Sequence, residues 1–232
     1  MRRERRLDDA SSERFKDIYL KSFPPSSRVS VQKLLAGISE GKKWLFTARA
    51  EGGLAGFALT MPLPGTGAHY LEYLAVAPRF RNRGVGSRLL ASVRRRLSRE
   101  DGASGLIFEV KPDDHPRQSE NALRKRRIEF YRRGGARLVE CAPRYRAPDL
   151  ARGGEVDYRL MWLPLRQRTE TPCGGALKEL IRSIFVHGYG LRRDDPLLKA
   201  VLKGVLRQPR KAGLTAGVRR ENIPPEGGMS EP

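Results

Sequence analysis

Apolar residues follow the first part of the chain with two different spacings, and each spacing predicts a type of element. After Asp8, which is polar and ends a short first strand, apolar residues recur at helical intervals and predict a capped helix: Phe15, Ile18, Tyr19 and Phe23. Ser30 is expected to cap a second, shorter helix that runs through Ile38. Apolar and polar residues then alternate across 43–61 around the turn Gly52-Gly53, which predicts an antiparallel hairpin.

The middle of the chain continues with a mixture of strands and helices. Four more strands are predicted, at Tyr70–Val76, Gly105–Val110, 136–141 and 157–163. A helix with one apolar face lies between the first two of them, with Leu89, Leu90, Val93 and Leu97 on that face. After a loop at 111–120, a further helix is expected to end at Gly134-Gly135. This order of elements indicates a mixed α/β fold rather than a doubly wound parallel sheet.

The composition changes after Pro164. Apolar stripes predict two amphipathic helices, the second of which begins at Asp195-Pro196. The stripes would pack on the main domain or on a second subunit, which we favour, or would lie on a membrane surface. Residues 212–232 contain few apolar groups and are expected to be disordered. The predicted organisation is therefore a domain at 1–168, a helical extension at 169–211 and a tail at 212–232.

Charge is the most unusual feature of the composition. The 232 residues include 46 Lys and Arg against 26 Asp and Glu, which gives a formal net charge of +20. Such an excess is compatible with nucleic-acid binding, because cations release counterions from a phosphate backbone. The charge is spread, however, with 33 basic and 19 acidic residues in 1–165 and 13 and 7 in 166–232. Without a finger or helix-turn-helix signature, a solvated arginine-rich surface is the better interpretation, and nucleic acid is not expected to be the primary target.

Cysteine, histidine and apolar runs bear on compartment and cofactors. Cys141 and Cys173 are too few for a disulfide framework and are expected to be reduced thiols in a reducing compartment. The three histidines and two cysteines show no metal-ligand spacing, so no metal is expected. The uncharged stretch 52–71 contains five Gly and two Pro and is therefore interpreted as strands rather than a transmembrane segment. The first residues lack an apolar signal region, and a cytoplasmic protein is expected.

The segment Leu71–Leu90 is the most informative for chemistry. It combines a strand, a proline, a basic turn with glycines and the start of a helix. Glycines allow close approach of a ligand to the backbone, and successive N–H groups at a helix N-terminus favour an anion. Arg81 and Arg83 add positive charge to the same turn. The pattern indicates a phosphate cradle, although a tight strand-to-helix connection alone would also explain it.

Two signatures in register make the chemistry more specific. The spacing Val76-x-Pro78-x-x-Arg81-x-x-Gly84-x-Gly86 resembles motif A of the GNAT superfamily of acyl-CoA-dependent N-acetyltransferases. Downstream, Tyr131-x-x-x-Gly135-Ala136 is similar to the second signature of that family, with Ala136 in place of the usual Phe. The resemblance covers roughly residues 3–165. It implies a central, mostly antiparallel and splayed sheet of six or seven strands flanked by helices.

The resemblance also implies a binding site for acetyl-CoA. The backbone of Leu74, Ala75 and Val76 would lie beside the pantetheine arm. Arg81 would brace the turn. The pyrophosphate would lie on the backbone amides of the turn, which belong to Asn82, Arg83, Gly84, Val85, Gly86 and Ser87.

Catalytic roles follow from the same resemblance and from the chemistry of amide formation. Tyr131 occupies the place of the tyrosine that protonates the departing thiolate, for which an ordinary pKa near 10 is suitable. Glu109, in a strand similar to the one that carries the base in ribosomal-protein N-acetyltransferases, is the candidate base, and Glu72 is the alternative. Those enzymes have an Asn where this chain has Arg124. The loop containing Asp113, Asp114 and His115 could hold a cationic amine or be merely solvated.

These features predict an N-acetyltransferase that uses acetyl-CoA and a primary amine in a ternary complex. Direct transfer is expected because neither cysteine lies in a motif. The alternative is a non-catalytic acyl-CoA-binding regulatory module on the same fold. The acceptor, a small molecule or a protein N-terminus or lysine, is left open, and so is the oligomeric state, a homodimer included.

Overall fold

The computed structural model describes residues 1–166 and 169–208. Nine strands are present in these residues: β1 Arg2–Glu4, β2 Trp44–Ala50, β3 Gly53–Leu63, β4 Ala68–Val76, β5 Gly105–Val110, β6 Arg137–Leu138, β7 Arg146–Pro148, β8 Glu155–Asp157 and β9 Arg159–Pro164. The six α-helices of the same residues are α1 Asp9–Ser22, α2 Val31–Ser39, α3 Val85–Leu97, α4 Gln118–Arg133, α5 Gly174–Ser183 and α6 Pro196–Lys203. A π-helical turn, Ile184–Gly188, continues α5.

Seven of the strands form one sheet, in the order β1-β2-β3-β4-β5-β9-β6. Every pair in it is antiparallel except β4 with β5, which run parallel. Strands β7 and β8 form a separate two-stranded hairpin. This architecture confirms the predicted mixed α/β fold with a mostly antiparallel sheet of six or seven strands.

Helix starts follow the capping residues that the sequence indicates. The Asp8 side chain accepts a hydrogen bond from the Ser11 amide before α1, and the Ser30 hydroxyl accepts one from the Lys33 amide before α2. Asp195 does the same for the first amides of α6. Each cap satisfies backbone donors that the first helical turn leaves unpaired, so a local signal is enough to fix these three boundaries.

The side chains of β5 alternate between two apolar cores, one on each face of the sheet. Leu106, Phe108 and Val110 belong to the larger core, which includes residues of α1, α2, α3 and α4. Ile107 belongs to a second core, formed with the C-terminal extension. Glu109 lies on the same face of the strand as Ile107 because it is two residues away. The alternation therefore directs Glu109 toward the extension.

The C-terminal extension packs on the sheet, as we favoured. Buried side chains of α5 and α6, such as Leu177, Ile181 and Leu198, join Tyr70 and Trp162 in the second core. The predicted domain boundary at 168 falls on the two residues outside the described part, and the tail 212–232 also lies outside it. The division into domains stays a prediction.

One expectation about the cysteines is wrong. Cys141, just after β6, and Cys173, at the start of α5, form a disulfide with a Cα–Cα distance of 5.4 Å. They are 32 positions apart, so sequence spacing alone did not indicate that the fold brings them together. The disulfide replaces the predicted pair of free thiols and links the extension to the main domain.

Other differences concern short strands. The strand expected at 136–141 is confined to Arg137–Leu138, with one further hydrogen bond from the Val139 amide to the Leu160 carbonyl. The hairpin of β7 and β8 was not predicted. Each of these two strands has three residues, too few for a period of two to be recognised.

Candidate active site

The glycine-rich turn presents an open row of backbone amides at the start of α3. Residues Arg81–Gly84 are exposed, and both Asn82 and Gly84 have positive φ, 59° and 72°. Gly84 is the N-cap of α3 and has no side chain that could occupy the first amides of the helix. Since those amides have no acceptor within the helix, the turn carries the partial positive charge of a helix N-terminus at its surface.

Arg81 connects this turn to the end of β4. Its Nε donates a hydrogen bond to the Val76 carbonyl at 3.1 Å. Arg83 remains exposed, with Glu51 at 3.9 Å as its ion-pair partner. An exposed ion pair of this kind is worth little free energy, so the Arg83 guanidinium is available to an anion at the turn.

Strands β4 and β5 part beside the turn. They pair only where Ala68, His69 and Tyr70 face Gly105, Leu106 and Ile107. Beyond Tyr70, β4 continues to pair with β3 alone, so that Leu74, Ala75 and Val76 are matched with Ala58, Phe57 and Gly56. The backbone groups of Leu74–Val76 that point toward β5 therefore face an open gap between the strands.

Tyr131 of α4 packs against β5 and does not line the cleft described below. The Tyr131 ring lies 4.4 Å, centroid to centroid, from the ring of Phe108 on β5. A Cβ at Gly86 would lie 3.4 Å from the Phe130 ring, which shows how closely α4 approaches the first turn of α3. Burial raises the pKa of Tyr131 to about 12, and its hydroxyl makes no hydrogen bond within residues 1–166 and 169–208.

A cleft of about 430 Å³ is lined by residues of both β4 and β5, and we call it the central cleft. Its lining includes carboxylates and tyrosines: Tyr70, Glu72, Tyr73, Glu109, Tyr158 and Tyr189. Cations lie among the remaining lining residues, namely Lys111, Arg124 and Arg127. The cleft thus combines carboxylates, cationic side chains and aromatic surface.

Glu109 is the most strongly bonded group in the central cleft. Three tyrosine hydroxyls donate to its carboxylate: Tyr145 to Oε1 at 2.5 Å, and Tyr70 and Tyr189 to Oε2 at 2.9 and 2.5 Å. Burial raises the pKa of Glu109 above its usual range, and the three hydrogen bonds act in the opposite direction. The sequence indicated the carboxylate but none of these tyrosines, which lie 36 to 80 residues from it.

Glu72, the alternative base, is held by an ion pair. It lies at the bulge of β4, between the pairs of Leu71 with Thr60 and Tyr73 with Leu59. Its Oε1 lies 2.5 Å from the Nζ of Lys43, and its buried Oε2 has no partner among the described residues. Burial raises the pKa of Glu72, while Lys43 lowers it.

The charged loop after β5 does not join this cluster. Asp113 pairs with Arg159 at 3.1 Å, and the His115 Nδ1 accepts a hydrogen bond from the Arg117 amide. The central cleft is not lined by Asp113, Asp114 or His115. Arg124, which stands where the resembled enzymes have Asn, donates to the Pro112 carbonyl at 3.1 Å and lines the cleft.

The described residues contain no group of three or more His, Cys, Asp or Glu side chains that could hold a metal ion. No helix in residues 1–166 and 169–208 is long and apolar enough to span a membrane.

The sequence also identifies the family to which the chain belongs. The profile of the acetyltransferase (GNAT) family matches residues 12–134, more than half of the chain, and includes the turn, both strands of the gap and Tyr131. The chain therefore belongs to the GNAT family of acetyltransferases, which confirms the resemblance and the predicted class of enzyme.

Solved structures of low sequence identity share the fold. A GNAT-family protein from Bacteroides thetaiotaomicron superposes with a TM-score of 0.65 at 20% identity, covering 83% of this chain and 100% of the other. The ribosomal-protein-S18-alanine N-acetyltransferase of Escherichia coli gives 0.50 at 19%, covering 75% and 99%. An aminoglycoside 6'-N-acetyltransferase complexed with coenzyme A gives 0.50 at 17%, covering 73% and 100%. A search of curated proteins finds no match to the chain.

Proposed function

We propose that this protein is an N-acetyltransferase that moves the acetyl group of acetyl-CoA directly to a primary amine. The observation that carries the proposal is a single juxtaposition. The amides of Asn82–Ser87 lie at the N-terminus of α3, after the end of β4, and Glu109 of β5 lines the cleft where β4 and β5 no longer pair. The family and the shared fold support the reaction class, and the proposal assigns the roles of individual residues.

The residues of the turn and the gap fit coenzyme A. The amides of Asn82–Ser87 would hold the diphosphate at the positive end of α3, with Arg83 beside it. The backbone of Leu74–Val76 would hydrogen-bond the pantetheine arm along the free edge of β4. Acetyl-CoA, when bound there, supplies an activated thioester. An unpaired amide of the same strand would stabilise the negative oxygen that develops on the acetyl carbonyl.

Glu109 would serve as the base for the amine. A primary amine is mostly protonated at neutral pH and has to lose a proton before its nitrogen can attack. Burial raises the pKa of Glu109, so its carboxylate accepts a proton more readily than an exposed one, directly or through a water molecule. The attacking nitrogen forms the new C–N bond and loses its second proton to water as the tetrahedral intermediate collapses, while Glu109 keeps the first proton until the products leave.

Tyr131 would serve as the acid for the leaving group. When the C–S bond breaks, the sulfur carries the electron pair and requires a proton. A pKa of about 12 keeps the Tyr131 hydroxyl protonated across the physiological range, and that hydroxyl donates to the thiolate. Tyr131 regains its proton from solvent after the products leave.

The acceptor is an amine that enters the central cleft. The ribosomal-protein and aminoglycoside enzymes that share the fold act on a protein and on a small molecule, and both classes stay open for this chain. The carboxylates of Glu72 and Glu109 and the tyrosine rings suit an ammonium group or its neutral form. A homodimer stays a prediction.

The test is release of free thiol from acetyl-CoA in the presence of peptides with free N-termini, lysine, polyamines and aminoglycosides. Tyr131→Phe and Glu109→Gln should each lower kcat by about 100- to 10,000-fold and leave the affinity for coenzyme A unchanged. Tyr19→Phe is the matched control, because it also removes a buried tyrosine hydroxyl, but one that bonds to the Val29 carbonyl and not to Glu109. Unchanged turnover in both site variants would remove the assigned roles. Stoichiometric coenzyme A binding with no thiol release from any amine would indicate the non-catalytic module instead.

A further inference from the structure

Glu109 is bonded by tyrosines from three separate parts of the chain. Tyr70 belongs to β4, Tyr145 to the connection before β7, and Tyr189 follows the π-helical turn of the C-terminal extension. Only Tyr70 lies within residues 12–134, the part that matches the GNAT family. Two of the three donors are therefore contributed by regions that the family match does not cover.

The three hydrogen bonds orient the Glu109 carboxylate and favour its ionised form. A tyrosine hydroxyl has a single proton to donate. A hydroxyl that donates it in a hydrogen bond to Glu109 stabilises the ionised carboxylate. Tyr145 is buried behind Glu109, whereas Tyr70 and Tyr189 line the central cleft with it. Tyr189 thus touches both the carboxylate and the space that an acceptor would occupy.

The extension holds Tyr189 in place through several contacts. Its amide donates to the Ile184 carbonyl at 3.1 Å, and its ring packs edge-on against Phe185 with centroids 5.8 Å apart. Gly188 lies so close to the sheet that a Cβ there would be 3.5 Å from the Tyr70 ring. Tyr189 is consequently a fixed part of the cleft wall.

We propose that Tyr189 is a positioning residue of the acetyl transfer, which holds the Glu109 carboxylate ionised and directed into the central cleft, so that the C-terminal extension completes the acceptor side of the site. The inference rests on the proposed function, because it takes Glu109 as the base. Tyr189 itself exchanges no proton with the amine.

The inference predicts a change in pH dependence. The titratable groups around Glu109 are Tyr70, Tyr145, Tyr189, the nearby Tyr158 and the ammonium group of Lys111, whose charge also favours ionised Glu109. Tyr189→Phe removes one donor to the carboxylate and leaves the others. The pKa of Glu109 should then rise, and the acidic limb of the pH profile of kcat/KM should move to higher pH, by on the order of one pH unit.

The experiment compares wild type, Tyr189→Phe and Tyr19→Phe over the pH range of activity. The proposal expects the shifted limb in Tyr189→Phe alone, with unchanged affinity for coenzyme A. Tyr19→Phe removes a buried tyrosine hydroxyl that bonds to Val29 and not to Glu109, so its limb should stay at the wild-type pH. A Tyr189→Phe limb that coincides with wild type overturns the inference while the proposed function stands.

A second readout does not depend on activity. The carboxyl carbon of Glu109, in protein labelled with ¹³C-glutamate and assigned with Glu109→Gln, reports the titration of that group by NMR. If wild type acetylates no amine, the proposed function fails. The NMR titration of the carboxyl carbon then decides by itself whether Tyr189 lowers the pKa of Glu109. Should Tyr189→Phe fail to fold, Tyr70→Phe removes another donor to the same oxygen and is expected to give the same upward shift; no shift overturns the inference.

Discussion

The ion pair between Lys43 and Glu72 makes a sharp prediction about the wall of the central cleft. The Nζ–Oε1 distance is 2.5 Å, and the two side chains are only 13% and 5% exposed. At an effective dielectric constant of about 20, two unit charges at this distance attract by about 7 kcal/mol. The cost of removing both groups from water offsets most of that attraction. The pair therefore adds little to the free energy of unfolding, but the loss of one partner lowers that free energy strongly.

Lys43→Met isolates that loss. Methionine retains an apolar stem to pack on Gly37 of α2, where the Lys43 Cδ now lies, and removes only the charge. Glu72 is then a buried carboxylate without a partner, and the free energy of unfolding should fall by about 3 to 5 kcal/mol. In a domain of this size such a change lowers Tm by roughly 6 to 20 °C.

The loss should depend on pH. Burial already raises the pKa of Glu72, and without Lys43 the pKa rises further. In the variant, the folded state then holds a proton that the unfolded state has released, so stability falls as pH rises through the pKa of folded Glu72. The deficit relative to wild type should accordingly be larger at pH 8 than at pH 5.

Urea unfolding followed by tryptophan fluorescence at pH 5 and pH 8 measures both effects. Lys42→Met is the matched control, since Lys42 pairs with Glu40 at the surface with exposed fractions of 76% and 51% and should lose less than about 1 kcal/mol. If Lys43→Met is as stable as Lys42→Met, or if its deficit is the same at both pH values, the buried ion pair does not exist in the form described.

Two further predictions concern the C-terminal extension. Replacing Cys141 and Cys173 with Ser should lower the free energy of unfolding by about 3 to 4 kcal/mol, from the entropy of a loop closed across 32 positions, and dithiothreitol should lower the Tm of wild type alone. An unchanged Tm in both experiments would mean that no disulfide forms. Asp195→Ala removes the cap of α6 and should cost about 1 kcal/mol in thermal unfolding, whereas Asp194→Ala, at the exposed neighbouring position, should cost less; equal effects would contradict the capping role.

The sequence predicts those features whose cause is local. A cap such as Ser30 acts within one helical turn. The hairpin of β2 and β3 joins two apolar runs across a short turn, and both strands are buried on both faces for most of their length. The amide-rich turn is also contiguous, so its glycines and arginines stand together in the sequence, and the resemblance to a family motif makes the pattern specific. Glu109 was predicted as the base because its strand resembles the one that carries the base in ribosomal-protein N-acetyltransferases, and this assignment stays a prediction.

The remaining features depend on contacts between distant residues. Tyr145 and Tyr189 lie in segments with no periodic pattern that points to Glu109, and only the packing of the extension on the sheet brings them there. The disulfide between Cys141 and Cys173 depends on the same packing. The Lys43 partner of Glu72 follows from the position of β2 relative to the bulge of β4. A single sequence contains no local signal for any of these.

The central claim is that the amides between Asn82 and Ser87 hold the diphosphate of coenzyme A, and calorimetric titration with coenzyme A tests it most directly. Ser87→Asp places a carboxylate in the first turn of α3, where it suits the helix dipole but repels a phosphate. Ser98→Asp places the same group at the other end of that helix. We expect one molecule of coenzyme A per chain in wild type and in Ser98→Asp, with affinity at least about tenfold weaker in Ser87→Asp. No heat of binding in wild type, or equal affinity in all three proteins, would contradict the account.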